Sequence, residues 1–342
     1  MSDFRTQMRC EIDEIPDAVE NLLIKGSGAV TSTAAHIRDL APSYLLSVAR
    51  GSSDHACTYL KYASELLLGL PMASVGPSVK SIYGVDLRCK GALSLSVSQS
   101  GKSPDIVQLT SAFAAGGAYT VAITNDAMSP LADASEAILP IHAGPELSVA
   151  ATKTFVTSLV AGLWLMAEVK QDAELLNAIR TLPKHLAKAK DCDWSAAIEA
   201  IDGQSLYTLG RGPSWAISNE AALKLKETCQ IHAESYSAAE VLHGPVSIVG
   251  REFPVIAFAA ADAAEASVAE ISQALAAKGA RVFATTQRAE GVEVLPHVRT
   301  DHWITDPIAS IVSFYGMVEA VAVRRGVNPD APRHLNKVTE TI

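Results

Sequence analysis

The sequence has few of the features that would place a protein outside the cytoplasm or on nucleic acid. Only 5 of its 342 residues are cysteine (Cys10, Cys57, Cys89, Cys192 and Cys229). The number is odd and no CxxC pair or zinc-like cluster occurs, which fits isolated thiols in a reducing, cytoplasmic compartment better than a bridged framework. The 28 basic residues are outnumbered by 37 acidic ones, for a net charge of -9, so no global positive field exists to gather a nucleic-acid backbone. The same balance works against any small anion, and a bound phosphate would need local donors such as loop N–H groups. No apolar run reaches the roughly 18 residues of a membrane span. The longest, residues 155–169, contains Thr157 and Ser158 and reads as a buried helix. The opening stretch MSDFRTQMRCEIDEIP holds acidic groups and no apolar segment, so no signal peptide is expected. Nucleic acid and membrane are therefore not expected partners.

With 49% hydrophobic and 19% charged residues, the chain can bury a sizeable core, and its length suits two domains. Short apolar runs alternate with amphipathic stretches: Tyr44-Leu-Leu-Ser-Val-Ala49 before residues 59–68, Leu93-Ser-Leu-Ser96 before 106–115, then Tyr119-Thr-Val-Ala-Ile-Thr124. That rhythm predicts an α/β fold with parallel sheets covered by helices on both faces. Residues 150–201 read as a helical connector interrupted only by Pro183. An internal repeat emerges as well. Arg211-Gly212-Pro213-Ser214 follows its strand 161 residues after Arg50-Gly51-Ser52-Ser53, and Pro254-Val-Ile-Ala-Phe258 stands where the strand ending at Ser98 should recur.

The two copies differ after that strand. The first continues Ser98-Gln99-Ser100-Gly101-Lys102-Ser103, the second Ala259-Ala260-Ala261-Asp262. Hydroxyls, glycine and N–H groups opening a helix suit a phosphate, while the alanine version adds a carboxylate, so one phosphate site per chain is expected. A serine-rich helix cap is the plainer use of the same residues. In the second copy Glu220, Lys224 and Glu227 share one helix face. This is either a solvated ion-pair stripe or, just past a strand's carboxyl end, part of a site. His243-Gly244-Pro245 marks irregular backbone with an available imidazole, whereas His232 could be structural. No metal-ligand spacing occurs, and Glu with His offers proton transfer. Gly210-Arg-Gly212 and Gly26-Ser-Gly28 lack the third glycine of a dinucleotide fingerprint, and no metal or other cofactor is expected.

Taken in order, these motifs, with residues 146–153 and the tail Asp330-Ala-Pro332-Arg333-His-Leu335-Asn-Lys337-Val-Thr339-Glu340, resemble the tandem sugar isomerase (SIS) family. That family includes the isomerase half of glucosamine-6-phosphate synthase, stand-alone phosphosugar isomerases and glucosamine-6-phosphate deaminases. The resemblance implies two SIS domains of three-layer α/β/α form at 29–165 and 196–328. A helical segment at 1–28, a connector at 166–195 and an active-site tail at 329–342 complete the layout. It implies that Ser98, Gln99, Ser100 and Ser103 hold a phosphate and that Ser52, Ser53, Val149 and Glu220 line a sugar pocket. Glu227 would move a proton between C1 and C2 with Lys224 beside it, Lys337 would reach the open-chain sugar, and His243 would open the ring from the neighbouring subunit of a homodimer.

Four positions depart from the synthase pattern: Arg50 for cysteine, Ser52 for threonine, Lys102 for an acidic residue and Ala151 for serine. No amidotransferase segment is expected before the isomerase region, which favours net deamination of glucosamine 6-phosphate to fructose 6-phosphate and ammonia. A deglycase or isomerase for a fructosamine or galactosamine phosphate is the alternative within enzymes. A non-catalytic sugar-phosphate sensor is the alternative outside them.

Overall fold

The structure, a computed structural model, describes residues 5–337. The first four residues of the N-terminal segment, and Val338, Thr339 and Glu340 of the tail motif, lie outside the described residues. Five strands, β1 (Tyr44–Val48), β2 (Met72–Ser74), β3 (Ala92–Val97), β4 (Tyr119–Thr124) and β5 (Ala137–Pro140), form a parallel sheet in the order β2-β1-β3-β4-β5. A second set, β6 (Ser205–Gly210), β7 (His232–Ser237), β8 (Pro254–Ala257), β9 (Arg281–Ala284) and β10 (Glu293–Val294), forms another parallel sheet, β10-β9-β8-β6-β7. Read from its other edge, the second order is the first one repeated.

Helices α1 (Gln7–Asp13), α2 (Ile15–Lys25) and α3 (Ser27–Leu40) precede β1, while α4 (Ser52–Leu67), α5 (Ser78–Ser81), α6 (Pro104–Ala115) and α7 (Pro130–Asp133) connect the first strands. Next come α8 (Lys153–Lys170), α9 (Ala173–Ala189) and α10 (Ser195–Ala200), and α11 (Pro213–Cys229), α12 (Glu265–Ala276) and α13 (Asp306–Arg324) accompany the second sheet. Helices flank both sheets, so a central strand such as β3 is buried at every residue. Its Ser96 hydroxyl survives burial by accepting from Thr110 Oγ1 at 2.8 Å.

Two compact units result. One comprises Asp17–Glu146 and Lys153–Arg180 with Asn336 and Lys337; the other comprises Thr181–Leu335 with the chain up to Pro16 and Leu147–Thr152. Contacts rather than chain order define them, so the leading, connecting and tail segments are shared out between the two. The duplication reaches the backbone: Gly51 opens α4 at φ 55, ψ -132, and Gly212 opens α11 at φ 61, ψ -139. Side chains with a Cβ rarely adopt that conformation.

Helix α8 is buried from Lys153 to Ala167, as its sequence predicts. Against the sequence expectation, one helix among the described residues is long and apolar enough to cross a membrane: α13, within a span of 22 residues starting at Trp303, although 83% of its most apolar stretch is buried in the fold, as in the core helix of a globular domain. The connector corrects one expectation, because Pro183 does not interrupt it. That proline lies inside α9, where its fixed φ matches a helix and only one backbone bond is forgone. Breaks fall at Gln171, which turns to φ 59, and Asp172, whose carboxylate accepts from the Leu175 N–H at 3.1 Å and caps α9, and again at residues 190–194 between α9 and α10.

Candidate active site

The strand order 2-1-3-4-5 reverses direction between β1 and β3, and open parallel sheets bind ligands beyond the carboxyl ends of strands at such a point. The 98–103 loop and Ser52 with Ser53 follow those two adjacent strands, so the structure brings these predicted residues together. The loop is shaped by its own contacts. Ser98 Oγ accepts from the Gly101 N–H (3.1 Å), Ser100 Oγ accepts from the Lys102 N–H (3.3 Å), and the Gln99 carbonyl accepts from the Asn125 N–H (3.1 Å). Gly101 takes φ 63, and a Cβ there would come within 2.1 Å of Ser129 Oγ. The N–H groups of Gln99, Ser100 and Ser103 have no acceptor among the described residues. Ser103 starts α6 without spending its hydroxyl on the cap. Unspent donors at a helix N-terminus suit an oxyanion.

In the corresponding loop of the second sheet, the counterparts of the Ser100 and Ser103 N–H groups are spent internally, Ala261 on Asp306 and Ala264 on Asp262. Ala261, 161 residues after Ser100, donates its N–H to Asp306 Oδ2 at 2.9 Å. The other oxygen of Asp306 accepts from the Thr300 N–H (2.7 Å) and hydroxyl (2.8 Å). Arg299 adds 3.4 Å from Nη1 to Asp306 and 2.7 Å from Nη2 to Glu265 Oε1. Asp306 is 1% exposed. The chain's own carboxylate thus takes two N–H groups, a hydroxyl and a guanidinium, the partners an external anion would need. Asp262, standing where the first loop has Gly101, keeps negative φ. Burial holds its carboxyl above the ordinary range, its bonds from Ala264 and Glu265 pull it down, and Asp306 and Glu265 nearby push it up.

On α11 the predicted stripe is a built cluster. Lys224 Nζ lies 3.2 Å from Glu220 Oε1 and 2.6 Å from Glu227 Oε2. Tyr315 Oη donates to Glu220 at 3.1 Å. The side chains of Glu220 and Lys224 are sealed, whereas Glu227 is 21% exposed. Burial pulls Lys224 down, but the Glu220 and Glu227 carboxylates overcome it and hold the ammonium above the usual lysine range. Lys224 is therefore a fixed cation and Glu227 the carboxylate that a ligand can reach.

The remaining predicted residues lie in other segments of the chain. His243 follows a single 3-10 turn, exposed, its backbone N–H donating to the Glu240 carbonyl at 2.9 Å. Val149, half-buried, donates its N–H to the Asp330 carbonyl at 3.4 Å. Lys337 Nζ sits 3.2 Å from Glu146 Oε2, whose carboxylate also accepts from the Thr154 N–H (3.1 Å) and hydroxyl (2.5 Å) at the start of α8. Several partners escaped sequence reasoning. Glu11, fully buried, accepts from the N–H groups of Leu147 and Ser148, and Asp330 accepts from those of Gln7 (2.8 Å) and Met8 (2.7 Å). No local pattern could reveal them, because the groups they hold lie more than 130 residues away.

Comparison with known proteins agrees with this architecture. The family model for the SIS domain matches residues 44–167 and 201–317. The glutamine–fructose-6-phosphate aminotransferase (isomerizing) of Pyrobaculum aerophilum is 32% identical over 347 residues, covering 96% of this chain and 56% of its own length. The chain spans a little over half the length of the curated relatives it matches first. A crystal structure from Silicibacter pomeroyi DSS-3, described as a candidate phosphosugar isomerase, is 62% identical with TM-score 0.93 over 95% of this chain and 100% of that one. A glucosamine-6-phosphate deaminase structure from Thermotoga maritima, 20% identical with TM-score 0.78 over 98% of both chains, shares the fold. With both domains matched by the family model and relatives 30% or more identical along nearly its whole length, the chain belongs to the SIS-domain family.

Proposed function

We propose that the chain is an amino-sugar phosphate isomerase and deaminase that takes glucosamine 6-phosphate and water to fructose 6-phosphate and ammonia. The observation that carries this reading is the α11 cluster, in which a buried ammonium is fixed between two carboxylates and only Glu227 is open to a ligand. In the open-chain aldehyde Glu227 removes the proton from C2, giving an enolamine, and returns it to C1. The C2 imine so formed adds water, ammonia leaves, and the ketone remains. Lys224 stabilises negative charge developing during the transfer. Ser98, Gln99, Ser100 and Ser103 hold the phosphate, with Ser52, Ser53, Val149 and Glu220 assigned to the sugar. Lys337 contacts the open chain. His243, with exposed Leu242 and Ile248 on the same segment, acts on the ring oxygen from a second copy in a homodimer. Incubating the purified chain with glucosamine 6-phosphate and assaying both products tests the reading; equal amounts of ammonia and fructose 6-phosphate support it, and neither product at saturating substrate sinks it.

A further inference from the structure

Arg50 is one of the four positions at which the chain departs from the synthase pattern it resembles, and its surroundings give the departure a use. Parallel pairing sets Val48 against Ser96, so two residues further along each chain segment Arg50 comes level with Ser98. Asp105, in the first turn of α6, accepts from Arg50 Nε (2.9 Å) and Nη2 (2.6 Å) on the same oxygen, Oδ2. Its other oxygen accepts from the Ile106 N–H at 2.8 Å. Asp105 is fully buried while the Arg50 side chain is 50% exposed. The carboxylate therefore pins one edge of a guanidinium whose remainder faces outward.

A guanidinium carries five donors in a rigid fork. Asp105 uses the Nε hydrogen and one on Nη2; Nη1 and the second Nη2 hydrogen have no partner among the described residues. That pair is the end of the fork that can meet two oxygens of a phosphate in parallel. Asp105 and Asp54, whose carboxyl burial raises and His55 and Arg50 lower, offset much of the charge. What remains for a ligand is direction more than field. Lys102, 57% exposed and 3.9 Å from Asp126, is a looser cation on the same loop.

We propose that Arg50 is a phosphate-binding residue of the first domain, tethered by Asp105 so that its free edge grips a phosphomonoester held by the 98–103 loop. The inference rests on the assignment of that loop to the substrate phosphate. Calorimetric titration of the full chain with inorganic phosphate tests it, using wild type, Arg50→Gln, Arg50→Lys and Ser103→Ala. Arg50→Gln is expected to weaken phosphate about 10- to 100-fold and raise KM for glucosamine 6-phosphate by a similar factor, with kcat changed far less. Arg50→Lys should recover little, because an ammonium restores charge without the fork, and it keeps a cation beside Asp105 should the glutamine variant fail to fold. Wild-type phosphate affinity in both Arg50 variants, with Ser103→Ala weakened, overturns the role of Arg50 and leaves the loop assignment standing. No phosphate binding by wild type, with KM unmoved in Ser103→Ala, overturns the loop assignment and this inference together.

Discussion

The 98–103 and 259–264 loops follow equivalent strands 161 residues apart, and each leads into a helix. The first leaves the N–H groups of Gln99, Ser100 and Ser103 unspent. The second donates from Ala261 to Asp306, a carboxylate supplied by its own unit. The difference shows how a duplicated scaffold separates its tasks. An anion-binding turn is costly to bury empty, since unpaired polar groups lose their hydration. A copy that no longer receives a ligand can recover that cost with an internal anion. The second copy instead carries the sealed Glu220 and Lys224 with the reachable Glu227.

The contrast can be broken in several places, the largest effect coming from α11. Glu227→Gln should cut turnover of glucosamine 6-phosphate by roughly 10²- to 10⁴-fold, with a stability loss limited because Lys224 keeps Glu220 and the glutamine oxygen as partners; full turnover would remove Glu227 from the chemistry. In the second loop, Asp306→Ala strips the internal anion from Ala261, Thr300 and Arg299. A stability loss of about 3 kcal/mol in urea unfolding is expected, the low end for breaking a buried pair because Arg299 is partly exposed. Gly101→Ala should cost about 2 kcal/mol through its left-handed backbone and more through the Ser129 contact. Loss of phosphate affinity should accompany it. Ser103→Ala separates binding from folding, since its hydroxyl makes no cap bond. Phosphate affinity should fall about tenfold with stability within about 0.5 kcal/mol of wild type.

The smallest effect concerns Asp262, whose carboxyl is raised by burial. A raised carboxyl favours folding while protonated and opposes it once ionised, so its penalty grows as pH rises from the usual carboxylate value of 3.8. Asp262→Asn keeps an acceptor for the Ala264 N–H and should therefore gain stability over wild type as pH is raised from 3 to 7. A gain that shrinks over that range would show that the charge is not what strains the second loop.

Much of the fold was legible in the sequence because its signals are local. Apolar runs at Tyr44, Leu93 and Tyr119 became β1, β3 and β4, and their counterparts became β6 and β8. The strands left unread were β2, β5, β7, β9 and β10: four are short or polar edges such as His-Ala-Glu-Ser-Tyr-Ser that bury little and so carry weak periodicity, and β9 is an interior strand of only four residues. The 98–103 loop and the Glu220, Lys224, Glu227 face were visible for the same reason, since each is built within one turn or one helix.

What the sequence determined by itself was the two-fold α/β plan, the net negative charge, and the divergence of the copies, because periodicity, charge and self-similarity are properties of the chain in order. Only the tertiary structure decided which polar groups are spent and which remain available. Lys224 became a fixed cation through burial between carboxylates, Arg50 was turned by an aspartate 55 residues away, and Ala261 was silenced by one 45 residues away. Hydrogen-bond satisfaction depends on neighbours in space, and those are set by how the sheets and helices pack.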